Sequence, residues 1–390
     1  MVVAQSGGPT SVINASLAGA IRAGQRSGEL ARILGSRRGI EGILADAFID
    51  LTSLSDERIE RLRRTPSAAL GTSRYRPSDD DIAVILDRFA TDGVDTFVPI
   101  GGNDTAETAL RLSQAARDRG QRLHVVTIPK TIDNDLPETD HCPGYGSAAR
   151  FVALSTLDAA FDTRAMAHLY PVKIVEVMGR NAGWLAAAGT LAFDLHPELP
   201  RPIICLPERP FASLDDLATL VRTTIDRDGY AVLVTPETMK WADGSPVGGN
   251  TPVWIDSFGH TYFPGVGDAL ARELSSRLSI RARYDKPGTI ARMAMHAASP
   301  VDVAEAFDAG AEAVHRALAG EDGVMVTILR EPDGPYRVRY GSAPLDRIAN
   351  TERRLPDDMI AASGHDATTS FAAYARPLLG PELPRYEVLG

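Results

Sequence analysis

The sequence predicts an α/β protein built on mostly parallel sheets. Short apolar runs alternate with helical patterns from the first residue, which is the mark of βαβ units. Clusters of Gly, Pro, Asn and Asp fall where those apolar runs stop, as expected of strands that end in loops. The 390 residues, 44% hydrophobic and 24% charged, can bury large cores and suggest two or three domains, which excludes a disordered or fibrous chain.

Met1-Val2-Val3-Ala4 predicts the first strand, broken at Ser6-Gly7-Gly8-Pro9-Thr10, and Ile13 to Gln25 places Ile13, Leu17, Ala20 and Ile21 on one helical face. Asp79 to Phe89 predicts a helix with an acidic start. Val94 to Ile100 predicts a strand ending at Gly101-Gly102, Asp104 to Arg117 the helix after it, and Leu123 to Ile128 the next strand. Pro129-Lys130-Thr131-Ile132-Asp133-Asn134-Asp135 cannot continue a ladder, so its polar side chains fall on a strand-end loop. The rhythm then restarts as a second lobe. It runs through a helix from Tyr145 to Leu169, a strand from Val172 to Val177 and a helix from Asn181 to Leu191. Strands from Pro202 to Leu206 and Tyr230 to Val234 and a helix from Gly267 to Leu278 follow. Trp241 to Pro264 is expected to be a long excursion or hairpin, Val301 to Leu318 a helix, Gly323 to Leu329 a strand, and the tail after Leu355 irregular with one short helix.

With 41 basic against 51 acidic side chains, the net charge of −10 argues against nucleic acid as a partner. Two cysteines, Cys142 and Cys205, are too few for a disulfide framework and are expected to be small buried hydrophobes in a reducing compartment. No apolar run is long enough to span a bilayer and no secretory leader is recognisable, so a cytoplasmic protein without a membrane partner is expected.

Three polar segments fall at strand ends, where ligands sit in open α/β sheets. Ser6-Gly7-Gly8-Pro9-Thr10 precedes a helix N-terminus, an arrangement that suits phosphate. Gly101-Gly102-Asn103-Asp104-Thr105 adds oxygen ligands for a divalent cation. Lys130-Thr131-Ile132-Asp133-Asn134-Asp135 gathers an ammonium, a hydroxyl and two carboxylates, enough to accept a proton from a sugar hydroxyl and to offset charge on a transferring phosphoryl group.

At these residues the chain resembles the phosphofructokinase A family, from Gly7 to about Gly320. Ser6-Gly7-Gly8, Gly71-Thr72-Ser73-Arg74, Gly101-Gly102-x-Asp104-Thr105, Pro129 to Asp135 and Val177-Met178-Gly179-Arg180 stand in family order and spacing. The resemblance implies two similar phosphofructokinase-like lobes with the active site in the cleft between them. A donor lobe is expected over 1–144 plus about 293–350, and a sugar-phosphate lobe over 145–292 plus about 351–390. It further implies phosphoryl transfer to the 1-hydroxyl of fructose 6-phosphate. Asp133 is then the proton acceptor with Asp135 beside it, and Lys130 and Arg74 stabilise charge. Gly7, Gly8, Gly102, Asn103, Asp104 and Thr105 are expected at the donor. Thr131, Asp133, Met178, Gly179, Arg180, Glu237, Arg283, Thr289 and Arg292 are expected around the sugar phosphate, with His296 competing for the place of Arg292.

Asp104 and Lys130 stand at the two positions that differ between nucleotide and pyrophosphate users, and both resemble the pyrophosphate-dependent branch. A carboxylate at Asp104 repels a nucleotide's α-phosphate, and Lys130 can stabilise departing orthophosphate. Mg²⁺ is expected to come with pyrophosphate, with Asn103 and Asp104 as candidate ligands. Asn103 replaces the family's usual metal-binding Asp, and Pro171 replaces an arginine that bacterial relatives donate between subunits. The resemblance implies a homodimer or homotetramer. Alternatives are ATP as donor, another acceptor such as sedoheptulose 7-phosphate or a polyol, an NAD or lipid kinase, and a non-catalytic regulatory paralogue.

Overall fold

The structure, a computed structural model, describes residues 1–249, 254–255, 261–262 and 265–389. In chain order its elements are β1 (Val2–Gln5), α1 (Ile13–Ser27), β2 (Leu34–Ser36), α2 (Gly39–Leu44), β3 (Phe48–Asp50), α3 (Asp56–Arg63), α4 (Asp79–Thr91), β4 (Thr96–Gly101), α5 (Asn103–Asp118) and β5 (His124–Pro129). They continue as α6 (Tyr145–Ala165), β6 (Val172–Val177), α7 (Trp184–Ala188), β7 (Ile203–Ile204), α8 (Leu214–Asp228), β8 (Ala231–Pro236), β9 (Trp254–Ile255), β10 (Thr261–Tyr262), α9 (Val266–Leu278) and β11 (Ala282–Asp285). The remainder is α10 (Ile290–Met293), α11 (Pro300–Leu318), β12 (Val324–Arg330), β13 (Val338–Pro344) and α12 (Thr369–Ala375). The described residues form two compact units, one from Met1–Tyr145 and Met293–Arg353, the other from those within 146–292 and 354–390.

In the first unit, a seven-stranded sheet among the described residues runs β13-β12-β5-β4-β1-β2-β3. Its five inner strands are parallel, while β3 and β13 close the edges antiparallel. Both faces are covered, so the strands are apolar throughout. Val2 and Ala4 feed one core with Phe97 and Val125, and Val3 feeds the other with Val98, Ile100 and Val126. The strand order reverses at β1, since β2 lies on one side and β4 on the other, so the ends of β1 and β4 flank a topological switch point. On one face α1 and α11 approach at backbone distance. A Cβ added to Gly19 would lie 1.8 Å from the Phe307 carbonyl oxygen, and one added to Gly310 would lie 2.0 Å from that of Ser16.

The second unit holds a four-stranded parallel sheet, β11-β6-β8-β7, packed on α8 and α9. Most expected elements are present within a few residues of their expected ends. Helix α4 starts at Asp79 as expected and runs two residues further, to Thr91, with Ser78 as its N-cap and Asp81 completing a capping box. The helix expected from Asn181 to Leu191 shortens to α7, because the chain leaves Met178 through Gly179 and Arg180 in left-handed conformations before turning. Elements with no sequence-based expectation include α2, the short β3, α8, edge strands β11 and β13, and α10. Of the excursion expected over Trp241 to Pro264, β9 and β10 pair antiparallel, and much of the rest lies outside the described residues.

Candidate active site

The first unit gathers its chemistry at the carboxyl ends of β1, β4 and β5. Past β1 the chain turns sharply at Gly7, whose φ of +73° is open to glycine at little cost. The Gly7 N–H donates to the Ser73 carbonyl at 3.0 Å, and the Thr72 hydroxyl donates to the Gly7 carbonyl at 2.6 Å. The Gly71-Thr72-Ser73-Arg74 loop is thereby zipped onto the turn, and Gly7 contributes its shape, its own amide being committed. Ahead of α1, whose N-cap is Val12, the Thr10 hydroxyl closes a turn by accepting from the Val12 and Ile13 N–H groups at 3.2 and 3.0 Å.

Past β4, Gly102 caps α5 and Asp104 occupies its first turn, where the helix dipole favours a carboxylate. Past β5, the buried Lys130 donates its ammonium to the Gly8 carbonyl at 2.9 Å. A buried ammonium needs such acceptors to offset lost hydration. A Cβ on Gly7 would lie 3.2 Å from that Nζ, so the cation sits directly against the Gly7-Gly8 turn. The Thr131 hydroxyl accepts from the Asp133 N–H at 3.1 Å, which orients the chain into Asp133. Asn134 follows at φ +56°, buried, its Oδ1 accepting from the Cys142 N–H at 3.0 Å, and this left-handed step sets Asp133 and Asp135 either side of it. Burial pushes the Cys142 thiol up to about 12, which makes it an inert core group as expected.

In the second unit, Met178-Gly179-Arg180, Glu237 and Lys286 follow β6, β8 and β11, three neighbouring strands with aligned carboxyl ends. The Arg180 carbonyl accepts from the Thr238 hydroxyl at 2.7 Å, tying the two loops. Glu176 is buried, receives the Gly267 N–H at 2.8 Å, and pairs with Lys286 at 2.6 Å. Burial raises the pKa of Glu237, while Arg180, Lys286 and Arg292 act on it in the opposite sense. Glu176 adds to the rise, so a largely desolvated carboxylate feels cations of both arginine and lysine type beside a second carboxylate.

A sequence model described as Phosphofructokinase matches residues 1–317. The chain belongs to the phosphofructokinase family. Its relatives include proteins named pyrophosphate–fructose 6-phosphate 1-phosphotransferase. The one from Xanthomonas campestris pv. campestris (strain B100) is 40% identical over 393 residues, 98% of this chain and 92% of that protein. The one from Methylococcus capsulatus (strain Bath) is 38% identical over 391 residues, with 98% and 92% covered. The crystal structure of a pyrophosphate-dependent phosphofructokinase from Nitrosospira multiformis superimposes with a TM-score of 0.89 at 37% identity, covering 99% of this chain and 93% of that one. Family membership sets aside the NAD- or lipid-kinase reading.

Of the residues expected at this phosphofructokinase site, the structure brings Gly7, Gly8, Gly102, Asp104, Thr105, Lys130, Thr131, Asp133 and Asp135 to adjacent strand ends of one unit. It brings Met178, Gly179, Arg180, Glu237 and Arg292 to one region of the other. Arg283 lays its guanidinium over the Tyr170 ring, 4.8 Å from the centroid, while Thr289 is an exposed turn residue and His296 is exposed on a short 3-10 helix, Met295–Ala297. Asn103, expected as a donor or metal ligand, uses both ends of its carboxamide on backbone. Its Nδ2 donates to the Thr351 carbonyl and its Oδ1 accepts from the Asn350 N–H, each at 2.6 Å. Lys286 carried no sequence-based assignment. The signal for it was present, a cation one residue past a strand, but β11 is too short and polar to be recognised from periodicity.

Among the described residues, no group of three or more His, Cys, Asp or Glu is arranged to hold a metal ion. No described helix is long and apolar enough to cross a membrane.

Proposed function

We propose that this phosphofructokinase transfers a phosphoryl group from pyrophosphate to the 1-hydroxyl of fructose 6-phosphate, yielding fructose 1,6-bisphosphate and orthophosphate. The observation that carries the reading is the Lys130 ammonium held on the Gly8 carbonyl, which joins the phosphate-binding turn to the loop bearing Asp133. Asp133 accepts the 1-hydroxyl proton as that oxygen attacks phosphorus in line, and the bridging P–O bond breaks to release orthophosphate. Lys130 and Arg74 offset charge growing on the transferring group and the departing phosphate. Asp104, at the N-terminus of α5, disfavours the further phosphate and nucleoside that ATP would bring.

Mg²⁺ enters with pyrophosphate as part of the substrate, where it neutralises phosphate charge. The half-buried carboxylates of Asp104 and Asp133 each offer the kind of hard oxygen donor such an ion prefers. The donor belongs to the unit carrying 1–144 and 293–350. The sugar phosphate belongs to the unit carrying 145–292 and 351–390, where Met178, Gly179, Arg180, Glu237 and Arg292 hold it, joined by Lys286. Thr131 assists from the Asp133 loop. Pyrophosphate and the sugar bisphosphate are of comparable energy, so the reaction runs both ways and serves glycolysis or gluconeogenesis in the cytoplasm, in a homodimer or homotetramer.

An acceptor panel with Mg²⁺-pyrophosphate tests this reading, comparing fructose 6-phosphate, sedoheptulose 7-phosphate and unphosphorylated fructose. Fructose 6-phosphate should show the highest kcat/KM, and fructose should lose about 10³-fold or more because it forgoes the charge-assisted hydrogen bonds of its phosphate to Arg180 and Arg292. Comparable turnover of fructose contradicts the acceptor assignment.

A further inference from the structure

Residues 350–353 lie beyond the 1–317 span that carries the family match, yet they return to both loops of the donor-side site. Asn103, just after Gly102, grips the backbone of Asn350 and Thr351 with its carboxamide at 2.6 Å on each side. Two residues on, the Arg353 N–H donates to the Asp135 carbonyl at 2.7 Å. Its guanidinium then spreads over the same loop. Nε and Nη2 donate to the Asn134 carbonyl at 3.2 and 2.9 Å, and Nη1 donates to the Thr139 and Asp140 carbonyls at 2.7 and 2.5 Å.

These acceptors are the backbone of the loop that carries Asp133 and Asp135. Asn134, between the two carboxylates, is left-handed at φ +56°, a conformation that needs its surroundings to hold it. A planar fork of five donors can bridge Asn134 to Thr139 and Asp140 at once, whereas a single ammonium is a point donor and cannot. We propose that Arg353 is a positioning residue for phosphoryl transfer: it fixes the backbone of the Asp133–Asp135 loop, with Asn103 anchoring the segment that delivers it. This rests on Asp133 being the proton acceptor. The guanidinium touches carbonyls of the loop, so its effect reaches the reacting atoms through the placement of Asp133.

The test uses the full-length chain with Arg353→Lys and Arg353→Ala, measuring kcat, both KM values, thermal melting and amide hydrogen exchange. Misplacing a catalytic group by about 1 Å costs on the order of 10²-fold. Both variants should therefore lose about 10- to 100-fold in kcat while the KM values for pyrophosphate and fructose 6-phosphate stay within about threefold. Guanidinium ion should restore part of the Arg353→Ala rate, and exchange should quicken at residues 131–142 while the core strands β1 and β4 keep their protection. An unchanged kcat in Arg353→Lys, or faster exchange spread evenly over the whole unit, overturns the proposal. Should the unaltered protein fail to turn over fructose 6-phosphate, the functional reading fails. Hydrogen exchange at residues 131–142 then still decides whether Arg353 holds the loop.

Discussion

In the proposed reaction Asp133 takes up one proton, and the Thr131 hydroxyl that receives the Asp133 N–H holds the backbone that carries this carboxylate. Asp133→Asn keeps the shape and removes the base, so kcat should fall by about 10²–10⁴-fold with both KM values within a few-fold. Steady-state rates with either substrate varied check this. Lys130 makes a different prediction because its ammonium rests on the Gly8 carbonyl. Lys130→Met fills similar space without charge, and should cost about 10²–10³-fold in kcat by the loss of a donor to developing phosphate charge. Lys130 and Asp133 stand out in the sequence as candidates because a cation and carboxylates in one strand-end loop have few bland explanations. Asn103 is harder to read, for the opposite reason. An amide in a site motif suggests a ligand, and only the fold reveals that residues almost 250 positions away supply its partners.

Among the elements, α1 and α11 touch through reciprocal glycines, with a Cβ on Gly19 due to meet the Phe307 carbonyl oxygen at 1.8 Å. Gly19→Ala should therefore destabilise the first unit by at least about 1–3 kcal/mol, read as a lowered urea midpoint, although alanine favours an isolated helix. The loop between β5 and α6 carries its own titration. His141 is wholly buried, with Asp140 at 2.8 Å from Nδ1 and Glu305 at 2.6 Å from Nε2. Burial alone would lower its pKa, but the hydrogen bonds and charges of the two carboxylates outweigh that and raise it from 6.5 to about 8. Because the folded value is the higher one, its contribution is complete below pH 6.5 and is lost as pH rises through about 8. That contribution is about 2 kcal/mol, so melting temperatures should fall from about pH 6 to about pH 9, and His141→Gln should flatten the fall. Elements with a strong apolar period, such as β1, α1 and β4, were readable in advance. Edge strand β13 and short β11 were not, since edges carry polar residues and their pairing is decided by distant strands.

At the scale of the molecule, two α/β units each present loops at strand carboxyl ends, one rich in Gly, Lys and Asp, the other in Arg, Lys and a desolvated Glu. The second lobe was legible because the βαβ rhythm restarts past residue 144, while its cation cluster around Glu237 needed the fold to bring β6, β8 and β11 together. A reversible transfer also implies that fructose 1,6-bisphosphate with orthophosphate should yield pyrophosphate, detectable by coupled pyrophosphate assay. Purified protein with fructose 6-phosphate and Mg²⁺, given pyrophosphate or ATP in parallel, decides the phosphoryl donor. Pyrophosphate should support turnover about 10³-fold or more above ATP, because like-charge repulsion between Asp104 and the nucleotide's further phosphate acts against ATP. Equal or faster turnover with ATP would contradict the account.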